Sequence, residues 1–379
     1  MELKILCLGE TGGWSEPIPT EMDSAQTLVL IFAGACHGEE DRTLSDLIGH
    51  FPKSVILGCV TFGEIFGQEI LDDSIVAAVV KFAGTRLLSA SAAITTGAGS
   101  FAAGVELARQ LREPELKSVL ILSEGHNVNG SELVRGINSL VPKEVLVTGG
   151  LAGPCRKLSP SWVIQERAPR SHYVTAVGFY GSAIRVFHGC KGGWDIFGPE
   201  RVVTRSEGNV LYELDGKPAL ALYKEYLGIL AANLPGSAWS FPLSLRRNAH
   251  ETKMVVRSVS EIDEKKGSIS FAGDIPQGSL AQLMRANFER LITAASESAA
   301  MARGETPGPS LALAISCVGR RQVLGERAEE EIEAGLHAFP PGTAQVGFYS
   351  FGEISPVRPT VACEFHNQTM TYTTFSEHG

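Results

Sequence analysis

Short apolar runs alternate with amphipathic stretches along this chain. Leu28–Ala35 reads LVLIFAGA, a continuous apolar run typical of a buried strand. After a polar loop, Thr43–Phe51 places its apolar residues at the three- and four-residue spacing of a helix face. Ser54–Leu57 is a second short apolar run. The pattern predicts a unit in the order strand, loop, helix, strand.

The same order recurs twice. The predicted first strands of these units are Ser118–Leu122 and Leu311–Ser316, the helices are Ser131–Leu140 and Glu326–Ala338, and the second strands begin at Glu144–Val147 and Ala344–Val346. β-rich pairs follow the units, namely Ser74–Phe82 with Arg86–Ala92 and Tyr173–Tyr180 with Ala183–His188. Leu280–Ala302 is predicted to be one long helix.

The second strands of the first and third units end in related motifs. GCVTFGEI occupies residues 58–65 and GFYSFGEI occupies residues 347–354, so both have the form Gly-x-x-[Thr/Ser]-Phe-Gly-Glu-Ile. In the second unit the corresponding strand ends in GGLAG at residues 149–153. We therefore expect the three units to superpose, with these glycine-rich turns at the same end of each sheet.

The alternation of strands and helices predicts an α/β to α+β fold, with mixed sheets built from repeated strand–loop–helix–strand units. Ile229–His250 contains two prolines, a glycine and the pair Arg246-Arg247. We place the boundary between two halves there, with a first half at 1–228, a linker at 229–250 and a second half at 251–379.

Composition narrows the function classes. The 379 residues include 42 acids and 33 bases, a net charge of −9, which argues against broad binding to nucleic-acid phosphates. Seven scattered cysteines without a CxxC pair argue against a disulfide framework or a structural zinc site. No run approaches about 18 apolar residues, so no membrane span is predicted. We expect a soluble, cytoplasmic protein, and the sequence leaves a homo-oligomer open.

Taken together, these motifs are similar to those of the FIST family of sensory proteins, over nearly the whole chain. Besides the turn motifs, the first half carries GPERVVTRSEGNVLYELDGKPA at 198–219. In the second half the matching stretches are Cys317–Arg320, the acidic run Glu329–Glu331, and His366–Thr369. The resemblance implies a small-ligand sensor, for which amino acids have been proposed as ligands. It is closest to the stand-alone members, a subgroup of which binds haem, senses nitric oxide and acts on a partner histidine kinase.

If the cofactor is haem, His188 is the preferred iron ligand. Imidazole is a common axial ligand, and His188 ends a predicted strand beside Gly189, Gly192 and Gly193. The aromatic residues Phe187, Trp194 and Phe197 would line the macrocycle. Lys191 or Arg205 would meet a propionate.

Further binding residues are carried over from the family motifs: Arg205, Asn209, Asp215, Arg320, Asn367, and the two motif glutamates, Glu64 and Glu353. Two enzymatic alternatives stay open. One uses Cys317 as a thiol nucleophile activated by Arg320, and the other uses Glu64 and Glu353 as an acid–base pair. A glutamate that fixes its own turn and a buried structural cysteine are the simpler interpretations. We therefore expect a sensor that is not an enzyme, with haem as its ligand, nitric oxide as its signal and a histidine kinase as its partner. An amino acid or another small metabolite is the alternative ligand.

Overall fold

Three units with one strand order build most of the fold, which a computed structural model describes over residues 1–9, 12–153, 160–251, 254–304, 310–356 and 362–378. In each unit the first strand of the predicted repeat pairs in parallel with the second strand. It pairs on its other side, antiparallel, with a returning strand. The predicted mixed sheets are confirmed.

The first unit contains one helix. Its elements are β1 (Glu2–Cys7), a 3₁₀ turn (Thr20–Met22), β2 (Thr27–Ala33), α1 (Arg42–Gly49), β3 (Val55–Val60), β4 (Glu64–Phe66), β5 (Glu69–Leu71) and β6 (Ile75–Lys81). All seven residues of β2 are buried. Helix α1 begins where the Asp41 side chain accepts a hydrogen bond from the backbone N–H of Leu44 at 2.9 Å.

The second unit repeats this order with a longer preceding helix. Its elements are β7 (Arg86–Ala93), a 3₁₀ turn (Gly97–Gly99), α2 (Ser100–Leu111), β8 (Leu116–Ser123), α3 (Gly130–Asn138), β9 (Leu146–Leu151), β10 (Val163–Gln165), β11 (Ala168–Arg170) and β12 (Tyr173–Tyr180). The side chain of Asn129 caps α3 by accepting from the N–H of Glu132 at 3.1 Å.

The third unit begins in the chain with β13 (Ile184–Lys191), which precedes the predicted repeat. It is then interrupted by a segment that we call the insert, residues 195–285. Nine strands and one α-helix make up the insert: β14 (Asp195–Ile196), β15 (Arg201–Glu207), β16 (Val210–Leu214), β17 (Lys217–Pro218), α4 (Ala219–Leu227), β18 (Leu243–Arg246), β19 (Val255–Arg257), β20 (Val259–Asp263), β21 (Ser268–Phe271) and β22 (Leu280–Arg285). These strands form one sheet around their own apolar core. The predicted linker, residues 229–250, contains 3₁₀ turns at Gly228–Asn233 and Gly236–Ser240, and then β18.

After the insert the third unit resumes. It consists of α5 (Phe288–Met301), β23 (Leu311–Cys317), α6 (Val318–Leu324), a 3₁₀ turn (Gly325–Arg327), α7 (Ala328–His337), β24 (Ala344–Ser350), β25 (Glu353–Ser355), β26 (Glu364–His366) and β27 (Met370–Glu377). Both α3 and α5 begin with an asparagine cap that also donates to an aspartate of the insert, Asn129 to Asp274 at 2.9 Å and Asn287 to Asp195 at 3.0 Å.

Short strands close the three units into a ring. After its second long strand, each unit adds a three-residue strand to the sheet of another unit, so that β4 pairs with β24, β10 with β3 and β25 with β9. The glycines Gly58, Gly149 and Gly347 occupy equivalent registers opposite Ile31, Ile121 and Ala314. The prediction that the glycine-rich turns lie at the same end of each unit is confirmed.

Two local predictions were wrong. The strand pairs predicted after the units are not hairpins, because β6 and β7 belong to different sheets, as do β12 and β13. Each such connection leads from one unit to the next. The predicted helix over Leu280–Ala302 is split, since Leu280–Arg285 is a strand of the insert and the helix begins at Phe288. Among the described residues, no helix has both the length and the apolar character needed to cross a bilayer.

Candidate functional site

The motif glutamates lie at equivalent points of two units and are fully buried. Glu64 accepts hydrogen bonds from the Thr61 hydroxyl and from the backbone N–H of Ser74, the latter at 3.0 Å. Burial is the largest influence on this carboxyl and raises its pKa to about 8. Because Ser74 directly precedes β6, Glu64 fixes the turn after β3 to the returning strand of its own unit.

Glu353 repeats this arrangement. Its carboxylate accepts from the Ser350 hydroxyl at 2.6 Å, and from the hydroxyl and backbone N–H of Thr369 at 2.8 and 3.2 Å. Burial raises its pKa to about 7. In the second unit Val163 takes the equivalent register, so this unit has no matching carboxylate at that point.

Asn367 directly follows His366, the residue of β26 that pairs with Glu353 of β25. It is fully buried beside Gly352, and neither its amide nitrogen nor its amide oxygen has a hydrogen-bond partner among the described residues. A buried amide in this state has unused capacity for a bound water or ligand atom.

Arg320 is fully buried and fully engaged within the protein. Its guanidinium donates to Glu331 from Nε at 3.0 Å and from Nη2 at 2.7 Å, and also to the carbonyl oxygens of Gly192 and Leu291. This places Arg320 at the junction of the third unit and the chain crossing into the insert. Its neighbour Cys317 is also buried, and burial raises the pKa of the thiol, which disfavours the thiolate.

The candidates from the 198–219 motif, Arg205, Asn209 and Asp215, all support one hairpin of the insert. Arg205 lies 3.5 Å from Glu213 on the exposed face. Asn209 donates to the Phe271 carbonyl at 2.7 Å, and Asp215 accepts from the backbone N–H of Val202 at 2.8 Å and from Arg201 at 2.9 Å. Through these contacts the three motif residues stabilise turns and strands of the insert.

His188 lies in the middle of β13, opposite Thr373 of β27. Its Nδ1 is 3.5 Å from the Thr373 hydroxyl, whereas its Nε2 is buried and has no partner among the described residues. Burial, with a smaller contribution from His366, lowers the pKa of His188 to about 3. The imidazole is therefore neutral at physiological pH.

The aromatic wall predicted for haem is not assembled around His188. Phe187 points to the other face of β13, against Gly304, and Trp194 is buried with its Nε1 donating to the Gln368 carbonyl at 2.8 Å. Phe197 packs near Phe241, with ring centroids 6.1 Å apart. Lys191 pairs with Glu297 at 3.4 Å, and Arg205 is in the insert hairpin. The residues around His188 therefore do not fit a flat macrocycle in this conformation.

A cleft of about 500 Å³ lies between the ring and the insert. Its ring side comes from α3 and from the strand β26 and the residues before it, and its insert side comes from β18, β19 and the loop between β21 and β22. Its volume is within the usual range for small-molecule sites, which often lie at such domain junctions. None of the site residues predicted from the sequence lines this cleft.

The most distinctive group in the cleft is Arg257, whose side chain is almost wholly buried. Its guanidinium donates to three carbonyl oxygens, those of Val256, Asp274 and Phe365, at 3.2, 3.2 and 2.9 Å. No carboxylate within 4 Å pairs with it among the described residues. Burial lowers its pKa to about 10, a change that nearby Asp274 and Glu364 oppose.

Among the described residues, charges of both signs line the cleft in equal number. The basic residues are Arg135, Arg246, Arg247 and Arg257, and the acidic residues are Glu132, Glu251, Asp274 and Glu364. Some are already committed, since Arg246 is held by Glu200 at 2.5 and 2.6 Å. A lining of this kind favours a ligand that carries a positive and a negative group together.

Sequence reasoning missed Arg257 and Asp274 because they lie in no recognisable motif. Two sequence features could have indicated the cleft. One is the pair Arg246-Arg247, which lies in the predicted linker. The second is the polar segment 124–129 before α3, whose last residue, Asn129, caps that helix.

Comparisons with known proteins agree with the motif resemblance. A family profile described as the FIST N domain matches residues 27–217, and one described as the FIST C domain matches residues 219–356. No curated protein matches the chain. Among solved structures, a cyanuric acid hydrolase from A. caulinodans aligns over 100% of this chain and 99% of its own, at 8% identity and a TM-score of 0.37.

Proposed function

Because this chain belongs to the FIST family, whose domains are small-ligand sensory domains, we propose that it senses a small zwitterionic metabolite of the amino-acid type, bound in the cleft between the ring and the insert. The observation that carries this proposal is Arg257. A buried guanidinium that lacks a carboxylate partner within 4 Å among the described residues is a strong hydrogen-bond donor site for a ligand carboxylate.

The two charges of such a ligand match the two charges around Arg257. The ligand carboxylate would bind the guanidinium, replacing carbonyl contacts with charge-assisted hydrogen bonds. The acidic neighbours Asp274 and Glu364, which act electrostatically on Arg257, would favour the ligand ammonium. A ligand without the ammonium group would lack this second interaction, so it would bind Arg257 more weakly and act only at higher concentration.

A thermal-shift panel of the common amino acids tests this proposal. A ligand that binds only the folded state raises the melting temperature. The amino acid that gives a shift is then titrated by calorimetry into the wild type and into Arg257→Lys, which keeps the charge but loses the planar fork. We expect the affinity to fall roughly tenfold or more, as for loss of a bidentate pair.

Arg205→Lys is the matched control, because Arg205 belongs to the insert but lies outside the cleft. It should bind as the wild type does. An absence of any shift across the panel, or unchanged affinity in Arg257→Lys, would contradict the proposal.

Haem binding with nitric oxide as the signal is a second candidate. One observation favours it: the His188 imidazole is neutral, and its buried Nε2 has no hydrogen-bond partner among the described residues. Haem would supply the gas-binding iron. Since the surrounding residues do not form a slot for a macrocycle, haem binding there would require them to rearrange.

An absorption spectrum of protein produced with a haem supply tests this candidate. A Soret band that changes in His188→Ala, with unchanged circular dichroism, would support it. His337→Ala is the control, since His337 lies at the end of α7. A colourless protein, or a band identical in both variants, would remove His188 as a ligand.

We propose that the ligand-bound protein regulates a separately encoded sensor histidine kinase. Its autophosphorylation should change when the sensor is added with its ligand and not when either is added alone. An unchanged rate with the loaded sensor would exclude that kinase as the target.

A further inference from the structure

The insert is attached to the ring by two chain crossings, after β13 and before α5, and by several noncovalent contacts. Some of these contacts lie away from the cleft, where Asp195 accepts from Asn287 and Arg290 and the Trp239 carbonyl accepts from Gln368. Another group lies along the floor of the cleft, where Arg257 and Asp274 of the insert meet Asn129, Ser131 and Phe365 of the ring.

Arg257 has hydrogen-bond acceptors on both sides of this boundary. On the insert side its partners are the carbonyl oxygens of Val256 and Asp274. On the ring side they are the Phe365 carbonyl at 2.9 Å and the Ser131 hydroxyl at 3.4 Å. The Phe365 ring also lies beneath the guanidinium, 5.8 Å from it. One side chain thus bridges the insert to both α3 and β26.

We propose that Arg257 is a ligand-sensitive latch, which holds the insert on the ring when the cleft is empty and lets go of Phe365 and Ser131 when a carboxylate binds. This rests on the proposed function, because the ligand of that same site supplies the carboxylate. It adds the route by which occupancy changes the rest of the molecule.

The competition follows from the strength of the bonds involved. A carbonyl oxygen and a hydroxyl are neutral acceptors, and a charge-assisted bond to a carboxylate is about twice as strong as a neutral one. The guanidinium has one planar set of donors, so those that turn to a ligand are lost to the ring. Ligand binding and docking of the insert therefore oppose one another through this side chain.

The Asn129–Asp274 hydrogen bond limits how far the insert moves. It joins the same two bodies at 2.9 Å and does not involve the guanidinium. Together with the two chain crossings and the contacts of Asp195 and Trp239 with the ring, it keeps the insert attached, so release of the latch widens the cleft on the side of Arg257. A widened cleft changes the surface that α3 and β26 present to a partner.

Hydrogen exchange with sodium acetate tests the latch without knowledge of the natural ligand. Acetate is a bare carboxylate, and sodium chloride at equal ionic strength is the reference. In the wild type, acetate should speed exchange in peptides covering the first turn of α3 and β26 by roughly tenfold, the scale of one lost hydrogen bond to a charged group. Peptides in β2 and β8 should not change.

Arg257→Gln should show the fast exchange already in chloride and should not respond to acetate. Arg257→Lys, which keeps the charge, should be intermediate, and Arg205→Gln should behave as the wild type. Circular dichroism and β2 exchange establish that each variant is folded. If Arg257→Gln fails to fold, Arg257→Lys carries the test.

Three results would overturn the latch: acetate that slows or does not alter exchange in the wild type, an Arg257→Gln protein as protected as the wild type, or faster exchange in Arg205→Gln. Failure of the amino-acid panel with a positive acetate result would sink the proposed ligand class and leave the latch. Amino-acid binding with no acetate response would overturn the latch and leave the proposed ligand class.

Discussion

Arg320 and Glu331 form an ion pair from which solvent is excluded on both sides, each side chain having 0% exposure. Glu331 also accepts from the hydroxyls of Ser316 and Tyr349, at 2.8 and 3.2 Å. The pair thereby connects α6 and α7 to β23 and β24. Through the Gly192 and Leu291 carbonyls, Arg320 also contacts the segment after β13 and helix α5, which flank the insert in the chain.

We expect Glu331→Gln to lower the free energy of unfolding by about 3–5 kcal/mol, because it leaves the buried Arg320 charge without a carboxylate. The double variant Arg320→Met/Glu331→Met should recover much of the loss, since it removes both charges. Urea denaturation measures both. Glu106→Gln, which breaks an exposed pair with Arg109, should cost only about 0–1 kcal/mol. A Glu331→Gln protein as stable as Glu106→Gln would contradict this role.

Glu64 and Glu353 should make the protein less stable as pH rises from about 4.5 to about 8. Burial raises their folded pKa values to about 8 and about 7, whereas the unfolded value is 4.5. Between these limits the folded state binds more protons than the unfolded state, so stability is fully present below pH 4.5 and falls as pH rises through the folded values.

Melting temperatures over this pH range measure the effect. The double variant Glu64→Gln/Glu353→Gln should show a flatter curve, because the amide resembles the protonated carboxyl and does not titrate. Glu261→Gln, an exposed position in the insert, should keep the wild-type slope. A wild-type curve that rises with pH throughout this window would show that other groups dominate.

The long strands were predictable because their information is local. Each is a short apolar run, and the observed bounds of β2, β8 and β23 lie within two residues of the predicted ones. The closure of the ring was not predictable. It depends on three-residue strands such as β4, whose Glu64 pairs with Phe348 at the far end of the chain. No local pattern encodes such a partner.

The same contrast holds for the site. Motif residues such as Glu64, Glu353 and Asp215 attract attention because their spacing is distinctive, and here that spacing serves turns and strand ends. Arg257 and Asp274 come from separate polar stretches of the insert that only the tertiary fold brings together. A binding site formed between two bodies leaves little trace in either stretch alone.

Gly347→Ala should be strongly destabilising for a steric reason. A Cβ atom at this position would lie 1.8 Å from the carbonyl oxygen of Ala314 in the paired strand β23. The carbonyl oxygen is backbone in the centre of a sheet and the Cβ is bonded directly to the paired backbone, so neither can move cheaply. We expect a loss of about 3 kcal/mol or more, at the upper end of single-residue effects.

Denaturant titration measures this loss, and Gly38→Ala is the control. A methyl group at Gly38 would meet no other atom within 4 Å, so this substitution should be nearly neutral. Equal stability of the two variants would mean that β23 and β24 are not paired in the register described.

The two asparagine caps allow a comparison within one molecule. Asn129 caps α3 and donates to Asp274, and Asn287 caps α5 and donates to Asp195. Asn→Asp at either position keeps a good cap but replaces the donor by a second carboxylate. The positions differ in how close a cation lies: Arg290 donates to Asp195 at 2.6 Å and would offset the added charge there, whereas the Asp274 carboxylate forms no ion pair within 4 Å among the described residues and interacts with the Arg257 guanidinium only at longer range.

We therefore expect Asn129→Asp to cost about 1–2 kcal/mol at neutral pH, from the lost hydrogen bond and the repulsion between carboxylates. Asn287→Asp should cost less. Lowering the pH toward the carboxyl pKa should restore Asn129→Asp, because one proton shared between two carboxyls replaces the lost donor. Melting curves at neutral and mildly acidic pH measure both. A larger loss in Asn287→Asp, or a loss in Asn129→Asp that does not diminish on acidification, would place the attachment of the insert somewhere other than the Asn129–Asp274 contact.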